Sequence, residues 1–262
     1  MCLILVAVEA HPDFRLVIAA NRDEFRDRPS APASFWAEAP QLLAGRDLRA
    51  GGTWLGITRT GRVAALTNYR DPEPGRAQAP SRGRLVSEFL LGVEKPVPYL
   101  ERVCTDACRY NGFSLLVGTG AQLYCCSNRS SGIRLLEPGI HGLSNHLVDT
   151  PWPKVEKGKR ALGGLLARES LRCEDLFGCL ADSRAAPDAL LPDTGVGLEK
   201  ERMLSPVFIR SPGYGTRSST VIVLGRDKRA TFIEKSFPDA HGSPSVVRHS
   251  FVLRDGPAPP VE

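Results

Sequence analysis

The stretch Met1-Cys2-Leu3-Ile4-Leu5-Val6-Ala7-Val8, followed after a short break by Arg15-Leu16-Val17-Ile18-Ala19-Ala20-Asn21-Arg22-Asp23-Glu24-Phe25-Arg26-Asp27-Arg28, decides how the rest of the chain is read. Two apolar runs rich in Val, Ile and Leu are joined by the turn-forming His11-Pro12-Asp13, which predicts a strand pair. Each run is too short to span a membrane. The second run ends in a charged turn, Arg22 to Arg28, which reads equally as an exit from the core and as a place for chemistry. Cys2 becomes the first residue if Met1 is removed. A thiol at a free amino terminus then has its own general base, because an α-amino group titrates near ~7.7–8. The bland reading of Cys2 is a small hydrophobe that opens a strand.

The 262 residues suit one large domain or two small ones. The 42% hydrophobic and 24% charged residues are those of a soluble globular protein, and 25 Gly with 21 Pro imply many turns. Net charge is only +5, from 34 basic and 29 acidic side chains that are interspersed, so no one-sign field points to nucleic acid. Arg82 with Arg84, and the segment from Lys154 to Arg160, are the basic-leaning patches, and both read as solvated faces. Seven Cys without a secretory signal predict reduced thiols and a cytoplasmic location. Cys104 and Cys108 share a helical spacing, adjacent Cys125 and Cys126 point to opposite strand faces, and no C-x₂-C knuckle exists, so no metal site is expected.

Beyond the charged turn, residues 29–50 read as an irregular Pro- and Ala-rich crossing. Leu55 to Thr58 and Val63 to Asn68 form a hairpin signal around a Gly-containing turn. Residues 70–83 read as a loop. Leu85, Val86, Phe89 and Leu90, then Tyr99, Leu100, Val103 and Ala107, recur at helical spacing. Phe113 to Gly118 and Ala121 to Ser127 predict a second hairpin, with a further strand over 133–136. A helix starts near Pro151 and another is outlined by Cys173, Leu176, Phe177 and Leu180. Residues 183–204 read as a long loop. Val207 to Ile209, Ser218 to Leu224, Arg229 to Ser236 and Val246 to Leu253 return to strands. Paired strands, then helices, then paired strands oppose a βαβ alternation and favour antiparallel sheets covered by helices. Residues 1–256 are expected as a single domain and 257–262 as a flexible tail.

Among polar residues, Arg22, Asp23 and Glu24 are either a solvated turn or a carboxylate and guanidinium set that orients a terminal amine and an acidic group. Asn145 is either a polar turn residue or an amide donor to an oxyanion, a role worth roughly 3 kcal/mol. His146 beside it reads as structural. Arg217 follows a Pro-Gly-Tyr-Gly turn and either faces solvent or reaches a carboxylate. No phosphate-binding loop, dinucleotide fingerprint or G-x-S-x-G elbow occurs.

The start Met1-Cys2-Leu3-Ile4, the Ala19-Ala20-Asn21-Arg22-Asp23-Glu24-Phe25 box, Gly51-Gly52-Thr53-Trp54-Leu55-Gly56, Ala64-Ala65-Leu66-Thr67-Asn68, Tyr110-Asn111-Gly112-Phe113, Gly142-Leu143-Ser144-Asn145, Asp149-Thr150-Pro151-Trp152 and Gly213-Tyr214-Gly215-Thr216-Arg217 together resemble the NRDE family, also called the Transport and Golgi organisation protein 2 family. The resemblance implies an N-terminal nucleophile hydrolase fold, a four-layer αββα sandwich of two mainly antiparallel sheets, related to penicillin V acylase and bile-salt hydrolase. Carried over, it implies Cys2 as nucleophile, Asn145 in the oxyanion hole and Arg217 as a late site arginine. Those enzymes place an Arg and an Asp three residues apart after the second strand, whereas here Arg22 and Asp23 are adjacent and Asn21 and Glu24 hold that spacing. The implied function is hydrolysis of a non-peptide amide or thioester of a small acyl or lipid substrate, needing no cofactor. The alternative is a non-enzymatic protein that binds and transfers haem, a lipid or an acyl-CoA, or a factor in trafficking and Golgi organisation.

Overall fold

Alternation along the first two strands sorts their side chains between two different cores. The computed structural model describes residues 2–72, 75–120, 122–237 and 243–255. In it β1 (Cys2–Val8) pairs antiparallel with β2 (Phe14–Phe25), in a register that sets Cys2 opposite Arg22 and Ile4 opposite Ala20. Successive strand residues point to opposite faces. Ile4, Val6, Leu16 and Ile18 therefore enter one buried cluster, and Leu3, Leu5, Val17 and Ala19 another.

Two further strands come from the crossing expected to be irregular: residues 30–36 form β3 (Ser30–Trp36) and 39–47 form β4 (Ala39–Asp47). The prolines that suggested a crossing are tolerated because β3 lies at a sheet edge and Pro40 near the start of β4. The expected hairpins are present as β5 (Leu55–Thr58) with β6 (Arg62–Asn68), and β7 (Phe113–Thr119) with β8 (Gln122–Ser127). The next strands are β9 (Arg134–Leu135) and β10 (Gly139–Leu143), then β11 (Tyr214–Gly225), β12 (Arg229–Ser236) and β13 (Ser245–Val252). Among the described residues the strands make a six-stranded sheet ordered β10-β1-β2-β11-β12-β13 and a seven-stranded sheet ordered β3 through β9. Every neighbouring pair of strands within them is antiparallel.

The sheets pack face to face through Ile4, Ile18, Ile222 and Phe232 from the first and Leu43, Ile57, Ala65 and Leu116 from the second. On its outer face the seven-stranded sheet buries α1 (Gly83–Leu91) and α2 (Pro96–Thr105) through Phe89, Leu90, Tyr99 and Leu100. The outer face of the six-stranded sheet carries α3 (Pro153–Leu166) and a 3-10 helix, Cys173–Leu180, through Val155, Leu162, Leu176 and Phe177. Pro96 and Pro153 stand in the first turn of their helices, where a missing N–H costs nothing. Each fully buried Leu or Phe in these three cores stabilises the fold by about 1.5–3 kcal/mol. The result is an αββα sandwich of mainly antiparallel sheets, the architecture that the resemblance implies.

Three local readings are corrected. The charged turn from Arg22 to Glu24 is strand, because β2 runs on to Phe25 alongside β11. The supposed loop over 183–204 contains α4 (Leu198–Leu204), whose Glu201 and Leu204 are buried. Val207 to Ile209 form no strand; they lie in a bend with Val207 and Ile209 buried, held by the Asn21 side chain on the Val207 carbonyl and by backbone bonds from the Phe208 N–H to Asp182 and from the Thr216 N–H to Ile209. The tail expected after Gly256 and the fate of Met1 lie outside the described residues. Among the described residues no helix is long and apolar enough to cross a membrane.

Candidate functional site

The box Asn21-Arg22-Asp23-Glu24 divides by strand alternation into two fastening residues and two cavity residues. Asn21 is buried on the helical side, where its Nδ2 donates to the carbonyls of Leu180 (2.9 Å) and Val207 (2.8 Å) and its Oδ1 accepts from Ser219 Oγ at 2.6 Å. Asp23 Oδ1 accepts from Thr216 Oγ1 at 2.7 Å, and its carbonyl accepts from Tyr214 Oη at 3.0 Å. These bonds satisfy polar groups that are costly to bury alone, and they tie β2 to β11 and to the bend before it. Arg22 and Glu24 point the other way, toward Cys2.

Cys2 lies directly across from Arg22, and its carbonyl accepts from Ser144 Oγ at 3.1 Å. Cys2, Arg22, Glu24, Trp54, Asn68 and Arg82 help to line one cavity of about 490 Å³. Burial pushes the Cys2 thiol above its ordinary value, the Asp23 charge adds to this, and Arg22 and the Asp23 backbone N–H oppose it. A thiol so placed is protonated at neutral pH, so its activation requires a base close by. Arg22 is only 5% exposed; its guanidinium lies 4.2 Å over the Trp54 ring and 3.9 Å from Glu24. Trp54 can take that position because its ring packs on the bare backbone of Gly45, where an added Cβ would come within 2.6 Å.

Besides Arg22, Arg28 and Arg49, two further guanidiniums line the cavity. Arg82 donates to the Gly112 carbonyl at 2.7 Å, and Arg76 to the carbonyls of Cys108 (2.7 Å) and Tyr110 (3.1 Å). Neither forms an ion pair among the described residues, whereas Arg28, in the same wall, is paired with Asp47 at 2.7 Å. Burial lowers the Arg82 pKa, with the Glu24 charge opposing. The cavity shares Glu24, Phe25, Asn68, Arg82 and Asn111 with a more apolar cleft of about 720 Å³, walled by Tyr69, Val196, Met203, Leu204 and Tyr214.

The other sequence candidates are distributed as follows. Asn145 is fully buried with φ 56°, a left-handed conformation that Asn tolerates, and its Nδ2 donates to the Asn68 carbonyl at 3.0 Å. It thus stands one residue behind the cavity wall. Arg217 sits at the bulge in β11, donates to the Arg26 carbonyl and lines a neighbouring cavity of about 210 Å³, with Trp54 as the shared partition. His146 is held by Thr150 Oγ1 at 2.8 Å and packs between Tyr69 and Trp152, and burial lowers its pKa.

Sequence reasoning missed Arg76, Arg82 and Lys154. Lys154, placed in a solvated face, is 2% exposed, and its Nζ has no hydrogen-bond partner among the described residues. Burial pushes its pKa down to about 8, opposed by the nearby Asp23 charge. The signal that could have found it is its position in the first turn of α3, one residue after Pro153 and packed under the ends of β1 and β2. Arg82 carries a weaker signal, its place at the mouth of α1 after Pro80-Ser81. Among the described residues no group of three or more His, Cys, Asp or Glu side chains is placed to hold a metal ion.

Comparison with known proteins places the chain among relatives along nearly its whole length. It is 38% identical over 260 residues to the human Transport and Golgi organization protein 2 homolog, covering 91% of this chain and 94% of that one. It is 29% identical over 273 residues to the Drosophila melanogaster Transport and Golgi organization protein 2, covering 92% and 95%. Among solved structures, penicillin V acylase from Agrobacterium tumefaciens aligns with a TM-score of 0.46 at 13% identity, over 95% of this chain and 85% of that one. The Transport and Golgi organisation 2 family matches residues 1–239, and the chain belongs to that family.

Proposed function

We propose that the protein binds and transfers a small anionic acyl ligand, a lipid or an acyl thioester, within the transport and Golgi-organisation role for which its relatives are named. The observation that carries this reading is the junction of two cavities: a basic one with Arg76 and Arg82, opening through shared residues on an apolar cleft along α4. Unpaired guanidiniums attract an anionic head group. An adjoining cleft of about 720 Å³ is within the size range of small-ligand sites and suits a hydrocarbon chain. Haem is a second cargo under the same reading. Among the described residues no His lines either cavity, so Cys2 is the side chain there best suited to its iron.

A second reading is favoured by the placement of Cys2 in the cavity wall. In a hydrolase, once Met1 is removed, the Cys2 thiol gives its proton to its own α-amine and its sulfur attacks the acyl carbonyl; the C–N or C–S bond of the ligand then breaks, and the amine or thiol leaves with the proton from the α-ammonium. In this reading Arg22 and Glu24, which face Cys2, orient the terminus and the ligand's acidic group, while the roles that the family resemblance implies for Asn145 in the oxyanion hole and for Asp23 and Arg217 beside the terminus would require these side chains to turn from their present partners toward the cavity. Water then releases the acid from the thioester on Cys2 and restores the thiol.

Titration with palmitoyl-coenzyme A, with thiol release followed in parallel, separates the two readings. Binding that survives Cys2→Ala, is weakened about ten-fold by Arg82→Glu, and is accompanied by no thiol release supports the carrier. Thiol release that disappears in Cys2→Ala, together with an intact mass lacking Met1, supports the hydrolase. Absence of both binding and release overturns the proposal.

A further inference from the structure

Two cysteines from different elements meet where the end of α2 covers β8. Alternation puts Tyr124 and Cys126 on the face of β8 that carries the helices, where Cys126, 3% exposed, packs in one cluster with Leu100 and Val103 of α2. On α2, Leu100 and Cys104 stand one turn apart on the same face. The two elements are fastened beside these thiols: Asn128 Nδ2 donates to the Ala107 carbonyl at 3.2 Å and to that of Tyr110 at 3.3 Å. Ala107 follows Cys104 by less than one helical turn and Asn128 follows Cys126 on the same strand face, so the link sets one thiol against the other.

The two thiols differ in access. Cys104 is exposed and Cys126 buried, and both are free. Burial pushes the Cys126 thiol well up, and Cys104 adds to this by its charge and by a hydrogen bond between the two sulfurs. Cys126 therefore keeps its proton at neutral pH while its neighbour meets solvent. The adjacent Cys125 cannot take this place, because it points between the sheets into the other cluster, and Cys108 stands beyond α2 in the 3-10 turn Ala107–Arg109.

We propose that Cys104 and Cys126 form a redox-modification site, at which a small-molecule disulfide such as glutathione disulfide is reduced and a reversible Cys104–Cys126 bridge is made. Cys104 loses its proton to solvent and its sulfur attacks the reagent; a bond from Cys104 to one glutathione forms, the reagent's S–S bond breaks, and the other glutathione leaves as a thiolate that takes a proton from solvent. The Cys126 sulfur then attacks that of Cys104, and the second glutathione leaves with the Cys126 proton. Two protein thiols are oxidised while one disulfide is reduced to two thiols. Exposure suits Cys104 to meet the reagent, and burial keeps Cys126 from it yet against the sulfur that it must attack. The bridge staples the end of α2 to β8, and it does not depend on what the Cys2 cavity binds.

Incubation of the full chain with glutathione disulfide, quenching with iodoacetamide and mass analysis of tryptic peptides tests it. We expect peptides 103–109 and 110–129 to become joined, with the link retained in Cys108→Ser and Cys125→Ala, lost in Cys104→Ser and released by dithiothreitol. Glutathione-capped Cys104 should accumulate about ten-fold more in Cys126→Ala than in wild type, because the thiol that displaces the cap is gone. Cys104 is exposed, so Cys104→Ser should fold even where a change at buried Cys126 does not, which circular dichroism checks. A link that survives Cys104→Ser or is lost in Cys108→Ser, a bridge within peptide 103–109, a lasting glutathione cap on wild-type Cys104 with no link, or no reaction at Cys104 would overturn the assignment.

Discussion

Glu201 of α4 and Arg70, which follows β6, form an ion pair in which each side chain is only 3% exposed. Around it, Glu201 also accepts from Thr194 Oγ1, the Arg70 guanidinium lies 4.4 Å over the Trp152 ring, and the Arg70 N–H donates to the Asn145 carbonyl at 2.7 Å. One pair thus clamps the wall of the apolar cleft to the turn that carries Asn145. A seven-residue helix has little stability of its own, so this clamp and Leu204 hold it in place.

Removing one partner of such a pair leaves the other charge buried without compensation. Glu201→Gln should therefore destabilise the protein by about 3–5 kcal/mol, while Glu201→Leu combined with Arg70→Met should cost much less. Urea denaturation of the three variants measures both. Should Glu201→Gln cost no more than an exposed pair, α4 is not held by this contact.

Lys154 and Asp23 are the second buried pair of opposite charges, and they differ from the first because each is shifted toward its neutral form by burial while the other opposes the shift. Arg70 and Glu201 also act on Lys154. Lys154→Met and Asp23→Asn should each destabilise, and the double variant should fall short of their sum by at least about 1 kcal/mol. For the lysine the sign with pH is set by its lowered folded value: between about pH 8 and pH 10.4 the unfolded chain binds more protons, so this group's contribution favours folding more as pH rises. Additive single variants would show that the two charges do not sense one another.

The parts of this molecule that were legible in its sequence are those governed by period and punctuation. Leu85 to Leu90 and Tyr99 to Val103 announce their helices by a single apolar face, and the hairpins around Gly61 and Gly120 by short apolar runs either side of a turn. Tertiary partners decided the rest. Residues 22–24 look like a turn because they are charged, yet they are strand because Thr216 and Tyr214, nearly two hundred residues away, receive Asp23. In the same way α4 is too short and too polar to be seen until Arg70 is known to meet Glu201. Of the site, Cys2 and its relation to Arg22 could be anticipated from the strand pair. Arg82 could not, because its direction is set by the fold of the 70–83 segment.

Where β10 meets α3, His141 Nδ1 and Asp149 Oδ2 are 2.8 Å apart, with Lys159 at 3.1 Å and Arg134 at 3.4 Å from the same carboxylate and the Glu137 carbonyl on His141 Nε2. The hydrogen bond that His141 donates to Asp149 holds the His141 pKa up against burial. Burial works against the Asp149 carboxylate, but bonds from His141, the Gly142 N–H and Lys159 hold its pKa well below the usual range. A raised histidine contributes stability that is full below about pH 6.5 and is lost as pH rises through its folded value. A depressed carboxylate contributes stability present above about pH 4 and lost on acidification. The margin of wild type over His141→Gln should hence be largest between these limits and shrink toward pH 8, as read from melting temperatures across the range. A margin that grows above pH 7 would falsify the assignment.

Gly45 places Trp54, and Trp54 places Arg22, so a change on β4 should be felt at Cys2. A Cβ at Gly45 meets two ring atoms of Trp54 at 2.6 Å. No side chain has to change hands for this to matter, since the ring must move and the cation stacked 4.2 Å above it loses its support. Gly45→Ala should cost about 1–3 kcal/mol by overpacking. Displacement of a buried cation also alters the field at the thiol directly across the strand pair, where Arg22 favours the thiolate. The pH at which Cys2 becomes half-alkylated by iodoacetamide should rise in Gly45→Ala, and Trp54 emission should shift to the red as its ring meets water. Cys2 labelling is followed by peptide mass, which separates it from the exposed Cys104 and Cys108. Loss of stability with no change in the Cys2 profile would mean that Trp54 packs the sheet without positioning Arg22.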